Sequence, residues 1–192
     1  MRDLLLAALL AVIPACSTPA EPPSVTDAEM PPMPQPTAEH ASILATAGHW
    51  TGTLTSFEAG DQPYTAEAVE ERTPIGGFWL RSVLHLDFMG MPFHGEECIG
   101  FDPATGRFQG SWVDNTSSYR ALTTGEQQPD GKTIRWRWMA PDWQTGELVD
   151  HWRDETFEGD AYTSTFYRRT ADGQEIRIMV FEMRRQPPGA SG

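Results

Sequence analysis

From residue 48 onward the chain repeats one pattern. Short segments of apolar and β-branched residues are each closed by Gly, Pro, Asp or Asn, and they span 50–57, 64–73, 79–88, 93–101, 107–114, 118–126, 133–139, 148–157, 161–169 and 175–184. Their centres recur about every dozen residues, which is the rhythm of consecutive antiparallel hairpins and not of strands alternating with helices. Several alternate with period two. Leu80, Ser82, Leu84, Leu86 and Phe88 share one face while Arg81, His85 and Asp87 take the other; Ile134, Trp136 and Trp138 oppose Arg135 and Arg137; Phe108, Gly110 and Trp112 oppose Gln109 and Ser111. Turn residues fall between segments, as in Asp130-Gly131, Glu158-Gly159-Asp160 and Asp172-Gly173. A sheet with one apolar face must bury it, and closing into a barrel does so while removing both edges. The predicted fold is therefore all-β, an antiparallel meander barrel of about ten strands. A two-sheet sandwich satisfies the same alternation, but consecutive short hairpins leave few long crossovers for it. One short helix over 37–47 precedes the strands, capped by Thr37, packed through Ile43 and Leu44, and ended by Gly48.

The first 36 residues follow different rules. Met-Arg-Asp is followed by an apolar run from Leu4 to Ile13, too short to span a bilayer and typical of a secretory leader. Ile13-Pro14-Ala15-Cys16 resembles the bacterial lipobox, which implies cleavage after residue 15 and acylation of Cys16 by diacylglycerol and a further fatty acid such as palmitate. Two or more acyl chains hold a protein stably, each buried methylene adding about 0.8 kcal/mol. Ser17 stands where an aspartate would signal inner-membrane retention, so the expected location is the outer membrane, facing the periplasm. Residues 16–36 are rich in Pro, Ala, Glu, Ser and Thr and read as an extended, disordered tether. Residues 186–192 form a second Pro/Gly tail, leaving 37–185 as the folded domain.

Charge narrows the partners. With 14 Lys and Arg against 27 Asp and Glu the net charge is -13, which excludes binding to nucleic acid through general phosphate attraction. With Cys16 acylated, Cys98 has no disulfide partner, and in Cys98-Ile99-Gly100-Phe101 it reads as a small buried apolar residue.

Four motifs in order carry a resemblance: Gly48-His49-Trp50-Thr51-Gly52; Gly76-Gly77-Phe78-Trp79-Leu80; Gly100-Phe101-Asp102-Pro103 followed by Phe108, Gly110 and Trp112; and Arg153-Asp154-Glu155 leading to Tyr167-Arg168-Arg169. Together they resemble a bacterial family catalogued as domain of unknown function number fifteen seventy-nine, over about residues 37–185. The resemblance implies a lipocalin-like, or calycin-like, meander barrel and brings no activity with it. The Gly-x-Trp-x-Gly start is also similar to lipocalins and nitrobindins, in which a first-strand Trp closes the barrel base, a role this implies for Trp50.

Candidate chemistry is sparse. No Gly-x-Ser-x-Gly elbow or phosphate loop occurs. Glu70-Glu71, Glu96-Glu97 and Asp154-Glu155 are adjacent, so on a strand each pair splits between opposite faces, and they read as solvating charges. Of five histidines, His85 and His94 can face one another across a hairpin with Glu96 or Glu97 nearby, and with His151 they are the candidates for a general base or a metal ligand, solvated strand faces being the simpler reading. No metal and no cofactor is expected; the last two strands lack the histidine an axial haem ligand would need. The polar set Arg81, His85, Arg135, Arg137, Arg153 and Glu155 is assigned to the outside, because burying unpaired arginines is costly. The interior is then apolar, and Leu84, Leu86, Trp112, Trp136, Trp138 and Phe166 are the candidate lining of a pocket for a small lipophilic or amphipathic ligand. The alternatives are an enzyme using a barrel histidine as general base, and an envelope interaction protein.

Overall fold

A computed structural model describes residues 32–142, 145–170, 172–187 and 189; the expected leader, Cys16 and the tether to residue 31 lie outside the described residues. Helix α1 (Ala38–Leu44) leads into ten strands: β1 (Gly48–Ser56), β2 (Tyr64–Ile75), β3 (Trp79–Phe88), β4 (Met91–Asp102), β5 (Arg107–Asp114), β6 (Ala121–Gln127), β7 (Thr133–Pro141), β8 (Leu148–Glu158), β9 (Ala161–Arg169) and β10 (Glu175–Arg185). Each strand pairs antiparallel with its chain neighbours, and β1 pairs with β10 from Trp50↔Arg185 to Ser56↔Met179, which closes the barrel. The all-β meander barrel expected from the alternation is what forms, and the sandwich is excluded.

Local chemistry explains where the ends differ from expectation. The helix stops at Leu44, and Thr46 and Ala47 continue in a tighter turn whose N–H groups donate to Ile43 and Leu44 carbonyls before Gly48, at φ 141°, swings the chain into β1. Strand β6 starts at Ala121 and not at 118, because the Asp114 carboxylate accepts from Thr116 N and Ser117 Oγ accepts from Tyr119 N, holding the intervening residues in turns. Strand β4 starts two residues early because Met89-Gly90, both at positive φ, form a two-residue turn and let Phe88 pair with Met91.

Two apolar clusters fill the barrel. Under α1, Ile43 packs on Leu80, Ile99, Phe108 and Trp136, with Leu80 and Trp136 both 0% exposed. Towards the other end Leu54, Ala66, Ala68, Leu84, Leu86 and Phe181 form the second cluster, with Phe93, Trp112 and Phe166 against it. Gly95 is needed there, since a Cβ at that position would lie 2.2 Å from the Trp112 ring. Trp50 is fully buried, and its Nε1 donates to Thr46 O at 3.1 Å, joining β1 to the end of α1. Arg185 locks the same corner: Nη2 donates to Ala45 O at 3.0 Å, Nη1 donates to Ala47 O, and the guanidinium lies 4.5 Å over the Trp50 ring.

Candidate functional site: a charged belt inside the barrel and two openings

Between the apolar clusters the interior is crossed by charge. The inward positions of β2, β3, β4, β8 and β9 at this level are Glu70 and Arg72, Ser82, Glu97, Arg153 and Glu155, and Tyr162, all buried. Arg72 Nη2 donates to Glu155 Oε1 at 2.8 Å and its Nε lies 3.0 Å from Glu70 Oε2. Arg153 Nη2 donates to both oxygens of Glu97, at 2.8 and 2.7 Å. Tyr162 Oη donates to Glu70 Oε2 at 2.5 Å, Ser82 Oγ donates to Glu70 Oε1, and Trp136 Nε1 donates to Glu155 Oε2 at 3.2 Å. Aromatic rings pad the cations: Arg72 lies 4.5 Å from the Tyr162 ring centre, Arg153 5.3 Å from that of Trp136.

This corrects the outward assignment of the polar set. Arg81, His85, Arg135 and Arg137 do face out, where Arg135 holds Asp154 at 2.7 Å and Arg81 holds Glu96 at 2.8 Å. Arg153 and Glu155 face in. Reading the paired carboxylates as solvating is half right for the same reason: each pair splits across the sheet, and Glu70, Glu97 and Glu155 are the buried halves. An arginine is tolerated inside because each has its carboxylate partner from another strand.

Burial shifts these groups. It raises the Glu97 carboxyl above its usual range, with the nearby Glu155 adding to the rise against the pull of Arg153. Burial also raises Glu155, but the fields of Arg72 and Arg153 and the bonds from Arg72 and Trp136 outweigh it and hold that carboxyl low. Tyr162 is raised well above its ordinary value by burial and by Glu70. Arg153 Nε and the Ser164 and Thr123 hydroxyls are buried without a hydrogen-bond partner.

Among the described residues, two concavities reach inner-face side chains. The β2–β3 ladder stops at Ala68↔Leu86, so 64–67 pair with β1 alone. A cleft of about 570 Å³ lies there, with Tyr64, Ala66, Leu86 and Phe93 from the inner face and Glu67, His85 and Asp87 from the outer. Tyr64 Oη accepts from Met89 N at 2.9 Å and so bolts the β3–β4 turn across its edge. A second cavity, of about 200 Å³, opens beside α1 and reaches Arg72, Trp136 and Glu155.

The sequence-derived candidates distribute over this frame. Leu84 and Leu86 sit in the wall next to the cleft, Trp112 and Phe166 pack against the same cluster, and Trp138 lies at that end of the barrel, its ring 6.0 Å from that of Phe166. Trp136 belongs to the other cluster, under α1. His85 and His94 meet across the β3–β4 ladder on the outer face, Nδ1 to Nδ1 at 3.3 Å, with His94 Nε2 3.1 Å from Glu96. His151 is inside, stacked on Trp138 at 5.6 Å, with Nδ1 3.1 Å from Val149 O; burial lowers its pKa, and Arg168 adds to that. Among the described residues no group of three or more His, Cys, Asp or Glu is placed to hold a metal. Cys98 is a free thiol, half-buried on the outer face between Arg81 and Ser111 and not in the core; its partial burial raises its pKa. The residues missed are Glu70, Arg72 and Glu97. Their signal was phase, for Glu97 continues the parity of Phe93, Ile99 and Phe101, and Glu70 and Arg72 that of Tyr64, Ala66 and Ala68.

Fold and interior together define a closed ten-stranded meander barrel with an ion-paired belt across its middle. The chain belongs to the family described as protein of unknown function (DUF1579), whose model matches residues 35–185. It is similar in fold to the crystal structure of Rv2717c from M. tuberculosis, with a TM-score of 0.61 and 13% identity, covering 80% of this chain and 100% of that one. At that identity the likeness concerns the fold alone. No curated protein matches the chain.

Proposed function

We propose that the protein is an acylated envelope lipoprotein whose barrel binds a small amphipathic ligand at the β2–β3 cleft. The observation carrying the reading is the place where the β2–β3 ladder parts: about 570 Å³ of open volume backed by Ala66, Leu86 and Phe93, within the range of small-ligand sites. A ligand's apolar body rests on these side chains and the Tyr64 ring. Its polar end lies towards Glu67, His85 and Asp87 at the outer edge. Cys16, acylated in this reading, holds the barrel at the periplasmic face of the outer membrane through residues 16–36.

The test is a titration of the purified protein with N-phenyl-1-naphthylamine, a lipophilic amine that fluoresces when it leaves water. Saturable enhancement is expected, and Leu86→Trp, which fills the cleft wall, weakens it at least tenfold. A protein that takes up no probe, or a filled variant that binds it unchanged, removes the cleft as the site.

A further inference from the structure

The cavity beside α1 shares no lining residue with the β2–β3 cleft. Its depth is set by Trp136 and the Arg72–Glu155 pair, and its walls by Ile43, Ile99, Ile134 and Phe157. Ser42, Thr46, Gln127 and Lys132 stand at the opening. At about 200 Å³ it has room for about seven waters at the ~30 Å³ each occupies in the liquid, or one ring with a short substituent.

The polar groups have definite spare capacity. Ser42 Oγ donates to Glu39 O at 2.8 Å and Thr46 Oγ1 to Ile43 O at 2.7 Å, so both hydroxyls have committed their protons and offer lone pairs. Gln127 Nε2 donates to Thr133 O at 2.9 Å, leaving its Oε1 as an acceptor. The opening is therefore rich in acceptors. The floor is closed to charge. Every oxygen of Glu70, Glu97 and Glu155 already accepts a hydrogen bond, from Ser82, Tyr162, Arg153, Arg72 or Trp136. A ligand cation finds no unshared carboxylate oxygen there, and an anion meets Glu155. Lys132 at the opening is solvated and shares its charge with Glu158 at 3.3 Å, which weakens its pull on an anion. An extra buried charge without a partner costs several kcal/mol.

The geometry points to a binding site for a small donor-bearing molecule, an alcohol, amide or amine, its apolar body against Ile43, Ile99, Ile134 and Phe157 and its O–H or N–H donated to the acceptors at the opening.

Three molecules of one skeleton test it: benzyl alcohol, benzoate and benzylammonium, each titrated into ¹⁵N-labelled protein and followed by two-dimensional NMR. Benzyl alcohol and benzylammonium, which both carry a donor, are expected to give saturable shifts at the Ile43 and Ile134 amides and at the Trp136 indole N–H, with benzoate, which has none, at least tenfold weaker. No saturable shift there, or benzoate that binds as well as the alcohol, overturns the proposal. Ile134→Trp fills the cavity and is expected to abolish benzyl alcohol binding while N-phenyl-1-naphthylamine binding at the β2–β3 cleft persists. An alcohol that still binds this variant also overturns it. Should the variant misfold, the three-ligand series on the unaltered protein decides. The naphthylamine result stands apart, so either site can fail alone.

Discussion

Arg153 holds Glu97 at 2.7 Å and reaches Glu155 only at 3.9 Å, whereas Arg72 lies within 3.0 Å of both Glu70 and Glu155, and this asymmetry sets what each replacement does. Arg153→Met leaves Glu97 in the interior without its cation, a change that costs about 3–5 kcal/mol when a buried pair is broken. Adding Glu97→Met removes the stranded charge as well and is expected to recover most of that loss in chemical denaturation at pH 7. Proton linkage gives the single variant a pH signature. Glu97 has a folded pKa above its unfolded value of about 4.3, so the folded state binds the extra proton, and this group's contribution declines as pH rises through the window above 4.3. Without Arg153 the main pull that opposed burial is gone, leaving only the weaker field of Arg72, and the window extends upward, so the deficit of Arg153→Met is smaller at pH 5 than at pH 7. Equal deficits at the two pH values would mean that Glu97 does not respond to Arg153. Glu155 works with the opposite sign. Its folded pKa is lowered, so its contribution is present above about 4.3 and is lost as pH falls through the folded value; Glu155→Gln is expected to unfold with a shallower acid limb.

Among the elements, the β3–β4 hairpin is where sequence and backbone disagree most. Its turn residues Met89 and Gly90 have φ of 56° and 83°, the left-handed pair that favours Asn-Gly. Met89 is 56% exposed, so its side chain gains little from packing while its backbone sits where L-residues other than Asn and Asp are disfavoured by about 1–2 kcal/mol. Met89→Asn is expected to stabilise the protein by about 0.5–1 kcal/mol, read as a rise in thermal midpoint at about 2–4 °C per kcal/mol for a chain of this size. Gly90→Ala, at φ 83°, is expected to lower it. The same hairpin marks what could be read in advance. Its ten-strand context was legible because Leu80, Leu84, Leu86 and Phe88 keep strict parity against Arg81, His85 and Asp87. The hairpin through Gly90 was legible too, with His85 facing His94, but its two-residue length was not, since Phe88-Met89-Gly90-Met91 carries none of the Asn or Asp that normally announces so tight a turn. In β8 both faces hold large side chains, with Trp152 outside between Arg137 and Arg169 while His151, Arg153 and Glu155 point in. Alternation of apolar and polar residues cannot phase such a strand. Only its ladder partners can, which is why Arg153 and Glu155 were assigned to the wrong face.

Across the whole molecule, nine of the ten ladders join strands next to each other in the chain, and the tenth, β1 with β10, follows once the ribbon has curled. That topology was legible from turn spacing alone. The belt was not, because it joins Glu70, Arg72, Glu97, Arg153 and Glu155 from three strands whose registers only closure fixes. The chain carries a net charge of -13, so anionic headgroups repel it on balance, and in the proposed reading the acyl chains on Cys16 supply the attachment. Two consequences are separable by experiment. Cells fed radiolabelled palmitate are expected to label the native chain and not Cys16→Ser. A chain starting at Ser17 behind an ordinary secretory leader, which removes both the lipobox and any uncleaved apolar anchor, is expected to appear in the soluble periplasmic fraction with its barrel folded. If that chain sediments with membranes as the native one does, the barrel itself binds the envelope, and the acidic surface must then find a protein partner rather than lipid.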